Sequence, residues 1–196
     1  MKNYSESCER NREPILDVLR QELAETTDVL EIGSGSGQHA LFLSVELPHL
    51  QWQPSERPKL IDDLRGNLRQ AAENVVPAAE LDVTRLPWAV ESFAAIFSAN
   101  TLHIMPIEAV ADFFAGVGQV LLPGGKLCVY GPFNYNGKFT SESNARFDRG
   151  LKEKDPERGI RDFEQLNRFA EQNGLELLND HEMPSNNRLL VWRKIG

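Results

Sequence analysis

Cysteine is nearly missing from this chain of 196 residues: Cys8 sits in a polar N-terminal segment and Cys128 in the apolar run "KLCVY". Thiols so far apart match no metal-ligand spacing and make no disulfide framework. Basic residues are outnumbered, 21 Lys and Arg against 29 Asp and Glu, for a formal net charge of −8. That balance argues against a general nucleic-acid surface, which needs clustered cations, and leaves only a local basic patch open. No apolar run reaches membrane length, and "MKNYSESCERNREP" has no signal-type apolar core, so the expectation is a soluble, cytoplasmic protein. Internal repeats and low-complexity tracts are also missing. What is present, 41% hydrophobic and 26% charged residues, is ordinary for a globular protein, and the length suits a single domain over 1–196.

Apolar periodicity alternates between strand and helix. Pro14 suits a first helical position, and Ile15, Leu16, Val18, Leu19 and Leu23 form a helical stripe behind it. "DVLEI" reads as a buried strand, "QHALFLSVEL" as a helix closed by Pro48, and "LQWQPSE" as an extended segment. Pro58 opens a helix to about Ala72, followed by strands "AAELDV" and "FAAIFSA" and a helix "IEAVADFFAGVGQVLL" stopped by Pro123. "KLCVYGPF" is a further strand, helices are expected near 144–154 and 162–173, and "LELLNDHEM" and "RLLVWRK" flank the turn-like "PSNN". Gly174 suits a left-handed helix cap. Such alternation predicts an α/β fold, a mostly parallel sheet with helices on both faces and a final antiparallel hairpin.

The stretch "EIGSGSGQ" places Gly33, Gly35 and Gly37 at alternate positions directly behind the first strand. A loop of this kind offers free backbone N–H groups at the positive end of the next helix and lacks Cβ atoms to keep a ligand away. No Gly-Lys-Ser/Thr follows, so it is not a Walker loop. A dinucleotide loop would need its third glycine where Gln38 stands. A ligand-free tight turn is the plainer alternative. Glu56, nineteen positions beyond Gly37, ends the second strand where doubly wound nucleotide sites carry a carboxylate for the ribose hydroxyls. Taken alone it would pass for a solvated loop glutamate.

The E-x-G-x-G-x-G arrangement from Glu31 resembles motif I of class I S-adenosylmethionine-dependent methyltransferases. The resemblance implies that the glycines underlie the methionine and ribose portions of the cofactor, with Glu31 orienting the loop and the amino-acid portion. It also implies that Asp82 accepts from the adenine amino group while the Val83 N–H meets a ring nitrogen; the alternative for Asp82 is an Asx-type turn. Beyond the fourth strand lies "SANTLHIMP". An Asn-Pro-Pro-Tyr/Phe signature is missing there, which weakens nucleobase amino-methylation, and no acidic cluster supports a catechol-type Mg²⁺ site, so no metal is expected. His103 is the general-base candidate because imidazole titrates near neutrality; lining the pocket is its other role. Asn100 has a similar choice between contact with cofactor or substrate and loop hydrogen bonding. His39 is expected to pack, and His49 and His181 have no constellation around them.

"ERNREPIL", "GSGSGQHA", "LPHLQWQPSE", "LDVTRLPW", "SANTLHI", "YGPF", "SESNARFDRGLKEKDPERGIRD" and "MPSNNRLLVWR" together resemble the bacterial family called domain of unknown function 938, related to methyltransferase-like protein 26. The resemblance runs from about Glu9 to Arg193. It implies a Rossmann-like class I methyltransferase fold with strand order 3-2-1-4-5-7-6 and S-adenosylmethionine as methyl donor, S-adenosylhomocysteine being the product. An N-terminal segment 1–13 would fold over the cofactor, bringing Arg10 or Asn11 to the methionine carboxylate; a solvated helix start is the alternative. An insertion over about 134–159 would cap the substrate. There Tyr135, Asn136, Phe139, Asn144 and Phe147 mix aromatic faces with amide donors, suited to a small polar or aromatic acceptor, unless Phe147 and Leu151 are simply the buried face of a helix. Arg161 and Asp162 are candidates for tying that segment to the sheet. The expected activity is methyl transfer to O, N or S of a small molecule by a monomer or homodimer, with no nucleic-acid or membrane partner; a non-catalytic binding protein, sensor or partner subunit, is the alternative.

Overall fold

The computed structural model describes all residues from Met1 to Gly196. Five strands run parallel: β1 (Asp28–Ile32), β2 (Gln51–Glu56), β3 (Ala79–Glu80), β4 (Phe93–Ala99) and β5 (Leu121–Gly131). Two more, β8 (Leu175–Met183) and β9 (Asn187–Lys194), form an antiparallel hairpin whose β9 pairs with β5. The seven lie in the order β3-β2-β1-β4-β5-β9-β8. Two short strands, β6 (Phe133–Asn134) and β7 (Arg161–Asp162), make a separate ladder. With that ladder left out of the count, the order is the expected 3-2-1-4-5-7-6.

Helices α1 (Glu6–Glu22), α2 (Gln38–Glu46), α3 (Ile61–Asn67), α4 (Ile107–Val120), α5 (Glu142–Lys154) and α6 (Phe163–Gln172) complete the fold. The sheet separates two apolar layers. Leu30, Ile96, Leu127, Val129 and Trp192 face α4 and α6 through Phe113, Phe114 and Leu166. Val29, Ala95, Phe97, Cys128 and Val191 face α1 and α2 through Ile15, Leu19 and Leu43. Successive residues of β1, β4 and β5 therefore alternate between two cores, which is why these strands read as unbroken apolar runs. No helix is long and apolar enough to cross a membrane.

Several boundaries differ from the sequence reading, most of them for a tertiary reason. Helix α1 starts at Glu6, eight residues before Pro14, because its first turns are bonded to α2 through Gln38 and His39. Helix α3 ends at Asn67, well short of Ala72. β3 is only two residues long, since Ser55 and Glu56 alone supply its ladder partners, and Asp82 lies beyond it. α4 stops at Val120 and Leu121 already pairs with Phe93, so the strand begins before the expected breaker Pro123. Gly174 does adopt the left-handed conformation, at φ +73°.

Candidate functional site

Parallel pairing puts the carboxyl ends of β1 to β5 on one edge of the sheet. That edge collects Glu31 and the glycine loop, Glu56, Asp82 and Val83, Asn100 to His103, and the chain leaving Gly131. In open α/β sheets this is where ligands bind. A separate cleft, lined by Glu22, Ala94, Gly125 and Lys126 among others, lies at the amino ends of β4 and β5 on the opposite edge.

All three loop glycines have positive φ, but their surroundings differ. A Cβ on Gly33 would come within 2.7 Å of Thr101 Cγ2, and one on Gly37 within 2.9 Å of Leu68 Cδ2. Those two glycines let the loop press against its neighbours after β4 and α3. A Cβ on Gly35, at φ +56°, would meet nothing within 4 Å. The middle of the loop thus faces open space, as a loop approached by a ligand should.

Two carboxylates hold this loop. Glu31 is 2% exposed and accepts the Trp52 Nε1–H at 2.9 Å. Burial pushes its carboxyl up to about 7, with the Glu56 charge adding to the effect against the donors Trp52 and Ser34. Glu56, also buried, accepts the Gly35 N–H at 3.0 Å through Oε2 and the Arg57 N–H at 2.8 Å through Oε1. A carboxylate has about four acceptor positions, so two backbone donors leave capacity for hydroxyls. Asp82 closes an Asx-type turn, its Oδ1 accepting the Thr84 hydroxyl at 2.8 Å and the Thr84 N–H at 3.1 Å. The Thr84 hydroxyl, followed by its N–H and the Arg85 and Arg57 charges, holds this carboxyl below its ordinary value.

Asn100 adopts φ +59° and its N–H bonds the Tyr130 carbonyl at 2.9 Å, tying the end of β4 to β5. His103 follows in a single helical turn, buried, with its ring edge against Phe147 at 5.3 Å between centroids. Burial, then the Arg161 and Arg158 charges, lower the imidazole to about 4, so it is neutral at pH 7. Neither ring nitrogen bonds a protein group, and neither belongs to the polar atoms sealed without a partner, which include Asn134 Oδ1. Arg161 fastens this corner: its guanidinium donates to the carbonyls of Leu102 (3.1 Å), Met105 and Glu157 (2.7 Å).

The remaining candidates divide. Asn11 is buried and meets His39 Nε2 at 2.8 Å, with the Tyr130 hydroxyl beside it. Arg10 stays apart, 69% exposed and paired with Glu6 and Ser7. Asn144 is buried, bonding Thr140 Oγ1 at 2.9 Å and the Asn186 carbonyl in the β8–β9 turn at 3.1 Å. Leu151 is buried, but Phe147 is 45% exposed and Phe139 42%, so Phe147 is not the helix's buried face. Tyr135 stacks on Phe163 of α6 and donates to Asp180 Oδ2 of the hairpin at 2.8 Å, and exposed Asn136 donates its N–H to Glu164 Oε1 of α6 at 2.9 Å. His181, read as isolated, meets Glu22 at 2.8 Å in a cluster with Lys126 and Asn179. Gln38 was legible only as an obstacle to a dinucleotide pattern; its amide is bonded on both sides to the N-terminal segment. No group of three or more His, Cys, Asp or Glu side chains is placed to hold a metal ion.

Solved structures share this fold. The apo form of the S-adenosylmethionine-dependent methyltransferase SibL matches with a TM-score of 0.79 at 17% identity, covering 96% of this chain and 56% of that one. Human N-acetylserotonin methyltransferase in complex with SAM matches at 0.83 and 14% identity, covering 97% and 53%. An O-methyltransferase family protein from Burkholderia thailandensis matches at 0.80 and 15% identity, covering 96% and 57%. This chain therefore spans a little over half the length of each, and at such identities the likeness is one of fold: the Rossmann-like class I methyltransferase fold. Residues 2–194 match the family described as "Protein of unknown function (DUF938)", and the chain belongs to that family.

Proposed function

We propose that this chain is an S-adenosylmethionine-dependent methyltransferase that acts on O, N or S of a small molecule. The observation that carries the reading is the loop at Gly35: an N–H held by the buried Glu56 carboxylate, with open space where a Cβ would point. The residues suit the cofactor. Gly33, Gly35 and Gly37 would underlie it, Glu56 would accept its ribose hydroxyls, and Asp82 with the Val83 N–H would read its adenine. Glu31, carboxyl raised by burial, would help hold the loop. Asn100, whose side chain makes no hydrogen bond within the protein, would be the amide for its amino-acid end or the acceptor, since Asn11 and Asn144 are bonded to His39, Thr140 and the Asn186 carbonyl.

S-adenosylmethionine, when bound, supplies an electrophilic methyl carbon. The chain's own task is then to align an acceptor and keep water away. His103, neutral at pH 7 with unpaired ring nitrogens, is able to accept a hydrogen bond or a proton from the acceptor. Phe147 and Phe139 offer exposed aromatic surface on the segment 134–159, which serves as the lid in this reading. Calorimetric titration with S-adenosylmethionine, S-adenosylhomocysteine and NAD tests it: binding of the sulfur ligands is expected, and preference for NAD or no binding of either sulfur ligand overturns it. Radiolabelled methyl transfer into metabolite extracts then separates an enzyme from a binding protein.

A further inference from the structure

Two side-chain amides clasp the N-terminal segment, each by both main-chain groups of a single residue. Gln38 Oε1 accepts the Ser5 N–H at 2.7 Å while its Nε2 donates to the Ser5 carbonyl at 3.2 Å and to Glu9 Oε1 at 2.6 Å. Asn67 Oδ1 accepts the Lys2 N–H at 3.0 Å while its Nδ2 donates to the Lys2 carbonyl at 2.9 Å. The same two amides grip the glycine loop. Ser36 Oγ donates to Gln38 Oε1 at 2.8 Å, and the Ser36 carbonyl accepts from Asn67 Nδ2 at 2.9 Å. Ser36 stands between Gly35 and Gly37. The segment and the loop therefore share their hydrogen-bond partners.

We propose that Gln38 and Asn67 are positioning residues that clasp residues 2–9 as a strap on the glycine loop, so that strap docking and loop occupancy favour one another. Ordering such a segment costs conformational entropy at every residue. Outside the clasp, the strap's first residues have only the exposed pairs of Lys2 and Asn3 with Asp63 to offset that cost. Such a segment belongs to the part of a fold that opens locally. Opening strips Gln38 of Ser5 and Glu9 and Asn67 of Lys2, which frees the two amides that hold Ser36 to turn away from it. A ligand that needs the ordered loop draws the strap shut, and by linkage the docked strap tightens the ligand. The identity of that ligand rests on the reading under Proposed function. The clasp does not.

Cys8, partly buried in this segment, reports on opening, and fully buried Cys128, its thiol pushed up to about 12 by burial, reports on global unfolding. Alkylation by iodoacetamide, read residue by residue by mass spectrometry, is expected to be slowed at Cys8 by S-adenosylhomocysteine. Gln38→Ala and Asn67→Ala should each speed it about tenfold, leave Cys128 protected, and weaken S-adenosylhomocysteine by a similar factor. Q38E sets a carboxylate against Glu9 and should open the strap further, and adding E9Q should restore much of the protection and the affinity. Unchanged Cys8 labelling in both alanine variants overturns the clasp. Faster labelling with unchanged affinity overturns the coupling. A wild-type chain that binds no S-adenosylhomocysteine fails the cofactor reading, and labelling of Gln38→Ala still decides the clasp.

Discussion

Glu56, the last residue of β2, accepts the N–H of Gly35, the middle glycine after β1, at 3.0 Å. One carboxylate thus shapes the loop and stands beside the open space above it. Glu56→Ala leaves that donor unpaired and should cost about 1–3 kcal/mol of stability. Glu56→Gln keeps one acceptor for the Gly35 N–H but turns its NH2 towards the Arg57 N–H, so it should cost less than the Ala variant, about 1 kcal/mol, and weaken S-adenosylhomocysteine about tenfold through lost charge-assisted acceptance. Urea unfolding beside calorimetry separates the two effects. Equal affinity of the Gln variant and the wild type would remove Glu56 from the ribose role.

Gly33 and Gly35 should respond differently to alanine. At Gly33 a Cβ meets Thr101 at 2.7 Å, so the loops after β1 and β4 must part and stability should fall by about 1–3 kcal/mol. At Gly35 the Cβ has room, and only the left-handed backbone is penalised, by about 1 kcal/mol. On the proposed reading, ligand affinity should nevertheless fall more for Gly35→Ala, since its methyl points into the open space where the cofactor would lie. The reverse ranking of affinities would place the ligand elsewhere.

His103→Ala should leave S-adenosylhomocysteine binding within about twofold and lower turnover by about a hundredfold if the imidazole handles the acceptor's proton. Because the ring is neutral down to about pH 4, no break in turnover near pH 6.5 is expected from His103. Turnover of the variant on an identified acceptor decides between catalyst and lining: an unchanged rate leaves His103 as lining.

Stability should pass through a shallow maximum near pH 6.5. His39 and His103 are both lowered by burial from 6.5 to about 4, so the unfolded chain takes up protons that the folded chain refuses, and stability falls as pH drops from 6.5 towards 4. Glu31 has the opposite sign: raised from 4.5 to about 7, it stabilises fully below 4.5 and loses that contribution as pH rises through 7. Two histidines outweigh one glutamate between pH 4.5 and 6.5. In urea midpoints measured from pH 4.5 to 8, Glu31→Gln should gain over wild type at pH 8 and show a steeper acid decline. A wild-type midpoint that rises steadily down to pH 4.5 would contradict this balance.

Sequence is most informative where residues act through local conformation. Alternating strands and helices, the left-handed Gly174 and the positive-φ glycine loop depend on backbone sterics and on periodicity within a few positions, and both are written in the chain. Sequence is least informative where long-range partners decide. Pro14 reads as a helix start, yet bonds from Gln38 and His39 carry α1 back to Glu6. Tyr135's partners, Asp180 and Arg188 on the hairpin and Phe163 on α6, are likewise far away in sequence. His181 reads as isolated because Glu22 and Lys126 are distant in sequence.

The sequence by itself determined the sheet, the glycine loop and the order of the acids Glu31, Glu56 and Asp82, because strand period, glycine backbone freedom and residue spacing are local properties. Only the tertiary structure decided how those parts are held. It put the Gly35 N–H on Glu56, left Gly35 facing open space, made His103 neutral among buried neighbours, and turned Gln38 from a missing glycine into a clasp. Burial and hydrogen-bond partners depend on which distant segments meet, and no spacing along the chain encodes that directly.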